Sequence, residues 1–236
     1  MKNETIRKRK SIRKYDPTPL DEATLAKVRE QIARLVPLYP DIRYSVEIVG
    51  KRKRGYGLNA PHYLVFCGEG KDGTDENIGF IGQQMDLYFS ENGLGSCWVG
   101  MAKPEGDEGR TLPFVICMAF GKPAEPLQRG DVSEFARKPL TAISEGEDER
   151  LEAARLAPSA ANGQNWYFIA EKGKIHCYTT KSKNPLLKAM LSGLARIDIG
   201  IAIWHIAAES EGFRFRKELD VPERKGCTYV GTVVPS

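Results

Sequence analysis

The stretch Ala157-Pro158-Ser159-Ala160-Ala161-Asn162-Gly163-Gln164-Asn165-Trp166 lies between a helical pattern and a predicted strand, and it is the most informative part of the chain. Proline, small residues and side-chain amides make poor core material, because buried polar groups need hydrogen-bond partners. The same residues suit a loop that holds a flat polar ligand with backbone groups and short side chains. The stretch therefore predicts a ligand-binding loop in the second half of the chain.

The composition is that of a globular protein. The 236 residues are 41% hydrophobic and 28% charged, and a chain of this length suits one large domain or two small ones. No apolar run reaches the length that crosses a bilayer, and the basic N-terminus is not followed by the apolar segment of a signal peptide. We therefore expect a cytoplasmic protein without a membrane partner.

The cysteines and histidines do not form a metal-binding pattern. The five cysteines are scattered, odd in number and never in a C-x-x-C pair, and the three histidines are dispersed. Metal and disulfide frameworks need tighter spacing, so we expect reduced thiols in the core or in loops, and no metal.

Positive charge is concentrated near the N-terminus. The whole chain carries a net charge of +4, but residues 1–60 hold 15 Lys and Arg against 7 Asp and Glu. A nucleic-acid-binding arm usually accompanies a recognised module or interleaved aromatic residues, and neither is visible here. We expect a solvated face for most of these charges, a phosphate site for a few, and no nucleic-acid partner.

Hydrophobic patterns predict a mixed succession of helices and strands. Helices are expected over 20–35, 75–91, 149–156 and 197–211, and strands over 62–67, 113–121, 166–170 and 229–234; residues 41–60 give no clear pattern. The order strand, helix, glycine stop and strand occurs twice, and Asn77-Ile78-Gly79 is echoed by Asp198-Ile199-Gly200. This indicates an α+β sandwich with an internal pseudo-two-fold repeat, in which halves 1–141 and 142–236 form one compact unit.

The segment Gly68–Gly73 matches the G-x-G-x-x-G pattern of dinucleotide-binding proteins. In that fold the pyrophosphate lies on a helix N-terminus, where backbone N–H groups and the helix dipole favour an anion. Here Asp72, Asp75 and Glu76 occupy that position and would repel phosphate. We therefore interpret the segment as a surface turn.

Two basic segments favour a phosphate ligand. Arg9, Ser11 and Arg13 stand at alternate positions, so in an extended segment they share one face and could converge on one anion. Arg137-Lys138-Pro139-Leu140 adds charge at the end of the first half. Taken singly, either segment is also compatible with ordinary surface charge.

These segments, the loop at 157–166 and Gly93-Leu94-Gly95-Ser96-Cys97-Trp98-Val99-Gly100 together resemble the motifs of nitroreductases. The resemblance implies a sandwich of helices around a mainly antiparallel sheet, non-covalent FMN, and NADH or NADPH as the electron donor. Its implied flavin ligands are Arg9, Lys10, Ser11, Arg13 and Arg137 around the phosphate and ribityl chain; Pro158, Ser159, Ala160 and Asn162 along the isoalloxazine; the backbone of Trp98, Val99 and Gly100 near N5 and O4; and Lys53 near N1 and O2.

The arrangement of the motifs differs from the usual family pattern. Nitroreductases are commonly homodimers in which each FMN contacts the opening motif of one subunit and the Pro-Ser-x-x-Asn loop of the other. Here the opening motif precedes residue 141 and that loop follows it, and Asn165 stands where the family usually has proline. We therefore predict a fused pseudo-dimer with one complete FMN site, either monomeric or weakly homodimeric.

The resemblance also implies the chemistry. Hydride would pass through flavin N5 to a small-molecule acceptor such as a nitroaromatic or a quinone, so no side chain is assigned a catalytic role. Two alternatives stay open: a non-catalytic FMN-binding protein that acts as a carrier or sensor, and other flavin chemistry on the same fold.

Overall fold

The computed structural model describes residues 3–50, 52–54, 58–100, 103–104, 110–180 and 193–235. The chain divides into two compact units. We call residues 8–134 the first unit, and residues 3–7 together with 135–235 the second unit. In sequence the two units meet between residues 7 and 8 and between residues 134 and 135, and the division into halves at residue 141 stays a prediction.

The described elements follow one another in the following order. They are α1 (Glu4–Lys8), α2 (Glu22–Ala33), β1 (Tyr44–Val49), β2 (Arg52–Arg54), β3 (His62–Gly68), α3 (Thr74–Glu91), β4 (Gly95–Val99), β5 (Lys103–Pro104), β6 (Phe114–Gly121), α4 (Leu140–Ile143), β7 (Ser144–Glu145), α5 (Arg150–Leu156), β8 (Trp166–Glu171), β9 (Lys174–Thr180), α6 (Ala195–Ala208), β10 (Arg214–Arg216) and β11 (Cys227–Val234). Short 3-10 turns cover Val132–Phe135 and Ala160–Asn162.

The first unit is built on a four-stranded sheet in the order β1-β3-β6-β4, with every pair antiparallel. Strand β3 is buried at all seven positions, because it lies between two neighbours and its residues are almost continuously apolar. Helix α3 contacts β3, β4 and β6 and is buried along nearly all its length. It ends at Glu91 with Asn92 as its C-cap and Gly93 at a positive φ of 74°, as predicted.

The second unit contains a five-stranded sheet in the order β10-β11-β9-β8-β7. All its pairs are antiparallel except β7 and β8, which run parallel. Helices α5 and α6 pack together, and the buried His205 of α6 hydrogen-bonds the Ala153 carbonyl of α5 over 2.8 Å. If β7 is left out, the strands of the second sheet have the spatial order β8-β9-β11-β10, and those of the first sheet have the order β1-β3-β6-β4. In each sheet, the strands that come first, second, fourth and third along the chain therefore lie side by side in that order.

The predicted α+β class with mainly antiparallel strands is confirmed, with the strands distributed over separate sheets. The helix expected over 197–211 is present, but it begins two residues earlier, at Ala195, and ends three residues earlier, at Ala208. Strand β1 was missed because its residues are half-buried or exposed and its hydrophobic pattern is weak. The segment Gly93–Gly100, whose motif resembles a flavin-edge loop of nitroreductases, forms edge strand β4 against β6 over Gly95–Val99.

Other expectations concern the turn at Gly68–Gly73 and the thiols. The turn joins β3 to α3 with exposed residues at 70–72, and β3 has only antiparallel neighbours, so the parallel βαβ unit of a dinucleotide fold is not formed there. All five cysteines are free thiols, and Cys67, Cys97, Cys117 and Cys177 are buried. Among the described helices, none combines the length and apolar character needed to cross a membrane.

Candidate functional site

The loop between α5 and β8 is shaped by its own hydrogen bonds. The N–H of Asn162 donates to the Ser159 carbonyl over 3.0 Å, and the N–H of Gly163 donates to the Ala160 carbonyl over 2.9 Å. The Ser159 hydroxyl accepts from the N–H of Gln164 over 3.0 Å. These bonds fold the segment back on itself, with Pro158 buried beneath and Asn162 exposed.

This loop holds three non-glycine residues in the left-handed region. The φ angles are 49° at Ala161, 54° at Asn162 and 46° at Gln164. Each such residue costs about 1 kcal/mol or more, so the conformation persists only because its surroundings impose it. Strain of this kind is concentrated at ligand-binding sites in proteins.

The segment around Arg137 supplies much of that constraint. The Arg137 guanidinium donates to Asn162 Oδ1 over 2.5 Å and to the Leu156 carbonyl over 3.2 Å. Lys138 Nζ donates to the Gly163 carbonyl over 2.6 Å, and its backbone N–H donates to Gln164 Oε1 over 2.8 Å. The structure therefore brings together Arg137 and the Pro158–Asn162 loop, which the sequence nominated separately.

A buried carboxylate lies behind the same loop. Asp198, in the first turn of α6, is 4% exposed and accepts the N–H of Ala160 over 3.0 Å through Oδ1. Its Oδ2 is buried and has no hydrogen-bond partner among the described residues. Burial raises the pKa of Asp198 to about 7, and the bond from Ala160 opposes that rise.

In the first unit, the opening motif is extended, which is the conformation in which its alternate residues share a face. Ser11 pairs with Ser96 of β4 in a parallel bridge, and the N–H of Ile12 donates to the Ser96 carbonyl over 2.9 Å. Arg9 donates to the Ser11 hydroxyl over 3.0 Å, so these two side chains share a face. Gly95 permits this close approach, because a Cβ there would lie 2.8 Å from three side-chain atoms of Ile12.

The cations of the opening motif have different environments. Arg9 is only 1% exposed, and its Nε lies 2.7 Å from Oδ2 of the equally buried Asp86. Lys10 is half-buried, with its ammonium 3.6 Å from Glu125. Arg13 is exposed and its guanidinium donates to the Ser11 carbonyl over 3.4 Å. Arg13 and Lys10 are therefore the motif cations that an external anion can approach.

Three further predicted ligands, Trp98, Val99 and Gly100, lie at the end of β4, and Lys53 lies elsewhere. Trp98 is half-buried, its indole N–H donates to Gln83 Oε1 over 3.2 Å, and its ring stacks on Phe66 at a centroid distance of 5.6 Å. Val99 is buried and Gly100 is exposed. The backbone of Lys53 lies in β2, and its side chain lies outside the described residues.

Three residues of these surroundings were not predicted to act there: Gln83, Asp86 and Asp198. Gln83 and Asp86 lie within a helix whose sequence signals only an amphipathic or buried segment. Asp198 stands at the position that corresponds to Asn77 in the sequence echo, and it accepts the backbone N–H of Ala160. Asn77 does the same in the first unit, where its Oδ1 accepts the N–H groups of Leu38 and Tyr39.

Comparisons with known proteins agree with this fold. The model of a family described as "Putative TM nitroreductase" matches residues 3–210. The crystal structure of a "putative nitroreductase" from Thermotoga maritima is similar over 98% of this chain and 92% of that chain, with 20% identity and a TM-score of 0.61. No functionally curated protein matches the sequence at a significant level.

Shorter solved structures match about half of the chain. The structure of a nitroreductase family protein from Clostridium difficile is similar over 59% of this chain and 94% of that chain, with 20% identity and a TM-score of 0.49. The structure of an FMN-dependent nitroreductase from the same species is similar over 54% of this chain and 91% of that chain, with 19% identity and a TM-score of 0.43.

The fold and the family model together define an α+β protein of the nitroreductase class. The chain belongs to the nitroreductase family, and the resemblance predicted from its four motifs is confirmed.

Proposed function

We propose that this chain is an FMN-dependent NAD(P)H oxidoreductase that reduces a nitroaromatic, a quinone or a similar small acceptor. The observation that carries the proposal is the strained loop at Ser159–Gln164, held in place by Arg137 and Lys138. When bound, FMN supplies the hydride and electron chemistry, so the chain has to provide binding, orientation and charge.

The loop fits one part of such a cofactor. Ala160 is half-buried and Ala161 is exposed, and both side chains are small enough to let a flat ring approach the backbone. Asn162 has its amide fixed from both ends, since Oδ1 accepts from Arg137 and Nδ2 donates to the Ala136 carbonyl over 3.0 Å. A loop that is already ordered does not pay the entropy of ordering when the ligand binds.

The opening motif fits the phosphate. A phosphate dianion needs accessible cations and hydroxyl or N–H donors, and Arg13, Lys10 and Ser11 supply them within one extended segment. We propose that these three residues bind the phosphate and that the backbone around Trp98 to Gly100 approaches the reactive edge of the ring. Arg9 supports the motif through the hydrogen bond that its guanidinium donates to the Ser11 hydroxyl.

We further propose that the chain binds one FMN, as a fused pseudo-dimer. The two units share one strand order, yet the opening motif occurs only in the first unit and the Pro-Ser-x-x-Asn loop only in the second. A symmetric pair of sites would need both motifs in both units. Because each motif occurs once, we propose one flavin per chain.

The test is the absorption spectrum of the purified protein, with released flavin quantified against protein, before and after anaerobic addition of NADPH and then NADH. We expect about one FMN per chain, bleaching by a nicotinamide, and reoxidation by a nitroaromatic or a quinone. Two FMN per chain would exclude the single-site proposal. Bound FMN that neither nucleotide bleaches would identify a carrier or sensor, and a failure to bind added FMN would reject the function.

A further inference from the structure

A buried polar network connects the opening motif to Trp98 within the first unit. Asp86 of α3 lies at its centre and is 1% exposed. Its carboxylate receives Arg9 from one side, the Ser96 hydroxyl over 2.8 Å, and Gln83 Nε2 over 2.8 Å. The network thus joins the opening segment, strand β4 and helix α3 through one carboxylate.

Gln83 links Asp86 to Trp98, because it hydrogen-bonds both side chains. The Asp86 carboxylate, paired with Arg9, accepts hydrogen bonds from its neighbours, and the indole N–H of Trp98 can only donate. Gln83 satisfies both when Nε2 faces Asp86 and Oε1 faces Trp98, as observed. The reversed amide would place oxygen against carboxylate and N–H against N–H, so Asp86 fixes the orientation of Gln83.

The residues packed around the Trp98 indole restrict its position. Gly82 lies under the Trp98 ring, where an added Cβ would be 2.2 Å from Cη2. Phe66 stacks on the ring at 29° and Gln83 holds its nitrogen. Packing against Gly82 and Phe66 therefore confines the Trp98 ring, and the hydrogen bond to Gln83 fixes the position of its indole nitrogen.

Arg9 has a corresponding role at the other end. Its charge is balanced by Asp86 at 2.7 Å, and both side chains are withdrawn from solvent. A buried guanidinium that is already paired adds little to the binding of an external anion, but removing it would leave Asp86 uncompensated. Arg9 instead supports Ser11, whose hydroxyl accepts from the same guanidinium.

We infer that Asp86 is a positioning residue: through Arg9 it sets the Ser11 side of the opening motif, and through Gln83 it sets Trp98 at the end of β4. The consequence for flavin binding rests on the proposed function, whereas the effect on Trp98 does not. The inference also separates the roles of the motif cations, with Lys10 and Arg13 as phosphate ligands and Arg9 as their support.

The test follows the Trp98 indole directly. Protein labelled with 5-fluorotryptophan has three 19F resonances, since the chain has three tryptophans, and Trp98→Phe assigns one of them. We expect Gln83→Leu to move the Trp98 resonance by several line widths and leave the other two in place. The matched control is Gln84→Leu, because Gln84 is a buried neighbour on the same helix that bonds Val36 instead.

A second variant tests the step from Asp86 to Trp98, which do not bond each other. Asp86→Asn alone would leave a buried guanidinium unpaired and could prevent folding. The double variant Arg9→Met with Asp86→Leu removes both charges, and we expect it to move the Trp98 resonance as Gln83→Leu does. A Trp98 resonance at its wild-type position in either the double variant or Gln83→Leu would overturn the inference.

Flavin titration completes the design. If wild-type protein binds FMN, we expect Gln83→Leu to bind it about 5- to 10-fold more weakly, which corresponds to one buried hydrogen bond, and Gln84→Leu to bind it unchanged. Equal affinities for wild type and Gln83→Leu would contradict the role of the network in binding. Absence of FMN binding by wild type would reject the proposed function and leave the 19F result to decide the inference.

Discussion

The guanidinium of Arg137 lies 2.5 Å from Oδ1 of Asn162, although the two residues are 25 positions apart. Asn162 returns a bond from Nδ2 to the carbonyl of Ala136, so the two segments hold each other in both directions. Asn162 and Ala136 both have positive φ angles, so these hydrogen bonds connect two strained backbone segments.

Removal of the Arg137 side chain should release this loop. We expect Arg137→Ala to lower the free energy of unfolding by about 1–2 kcal/mol, because three carbonyl or amide oxygens lose a charged donor. FMN affinity should fall at least about tenfold through the loss of pre-organisation. Urea denaturation and flavin titration measure the two effects.

Two further arginine substitutions test whether the geometry of the Arg137 guanidinium matters beyond its charge. Arg137→Lys keeps the charge but lacks the planar fork that reaches Asn162 and Leu156 together, so it should recover only part of the loss. Arg214→Ala removes an exposed guanidinium whose bond goes to the Pro235 carbonyl, and it should leave flavin binding unchanged. Full recovery by lysine would show that charge alone is required.

Ala161 should show opposite effects on stability and binding. Its φ of 49° is costly for alanine and free for glycine, so we expect Ala161→Gly to raise the free energy of unfolding by about 0.5 kcal/mol. The same change should weaken FMN binding a few-fold, because the loop becomes less rigid. Thermal unfolding and flavin titration on one preparation would measure both.

The control is the same substitution at an ordinary backbone position. Ala124 is exposed and is not among the residues with positive φ, so Ala124→Gly should lower stability by about 0.5–1 kcal/mol. If Ala161→Gly destabilises the protein as much as Ala124→Gly, the loop conformation is not strained.

Asp198 should make stability depend on pH. Burial raises its pKa from 3.8 to about 7, so the folded state binds a proton more tightly than the unfolded chain does. The corresponding stabilisation is fully present below about pH 4 and is lost as the pH rises through about 7. We expect Asp198→Asn, which cannot ionise, to remove this loss.

The measurement is the unfolding free energy of wild type and Asp198→Asn across the same pH series. Between about pH 5 and about pH 8, the variant should gain about 2–3 kcal/mol relative to wild type. Asparagine is a suitable replacement because Asn77 accepts backbone N–H groups at the echoed position of the first unit. Parallel pH profiles for the two proteins would show that Asp198 keeps an ordinary pKa.

Gly95 should tolerate no side chain. A Cβ at this position would lie 2.8 Å from Cβ, Cγ1 and Cγ2 of Ile12, and neither β4 nor the opening segment can move without breaking the bridge between Ser11 and Ser96. We expect Gly95→Ala to cost about 1–3 kcal/mol in urea denaturation. Gly50→Ala, which would meet no atom within 4 Å, should change stability by less than about 0.5 kcal/mol.

The sequence was sufficient for those elements whose hydrophobic pattern is strong. Strand β3 and helix α3 are visible because their apolar residues recur with the period of the element or fill it completely. Strand β4 was recognised only as a motif that resembles a flavin-edge loop, because its pairing with β6 is a tertiary contact that leaves no local signal. Strand β1 was missed for the related reason that an edge strand buries little.

The candidate ligands were predictable as motifs but not as partners. The loop at 157–166 and the pair Arg137-Lys138 can be found from residue types alone, because their chemistry suits a polar ligand. That Arg137 bonds Asn162, and that Asp86 neutralises Arg9, follows from chain segments that meet only in the folded state. A guanidinium and a carboxylate 77 positions apart leave no local signal of their pairing.

Local periodicity and residue chemistry were enough to predict the α+β class, the nitroreductase resemblance and the location of the motifs. The folded structure was needed to show which cations remain accessible, which backbone is strained and which buried carboxylates support the loops. These properties depend on burial and on pairing between distant segments, and burial is what raises the pKa of Asp198 and removes Arg9 from solvent.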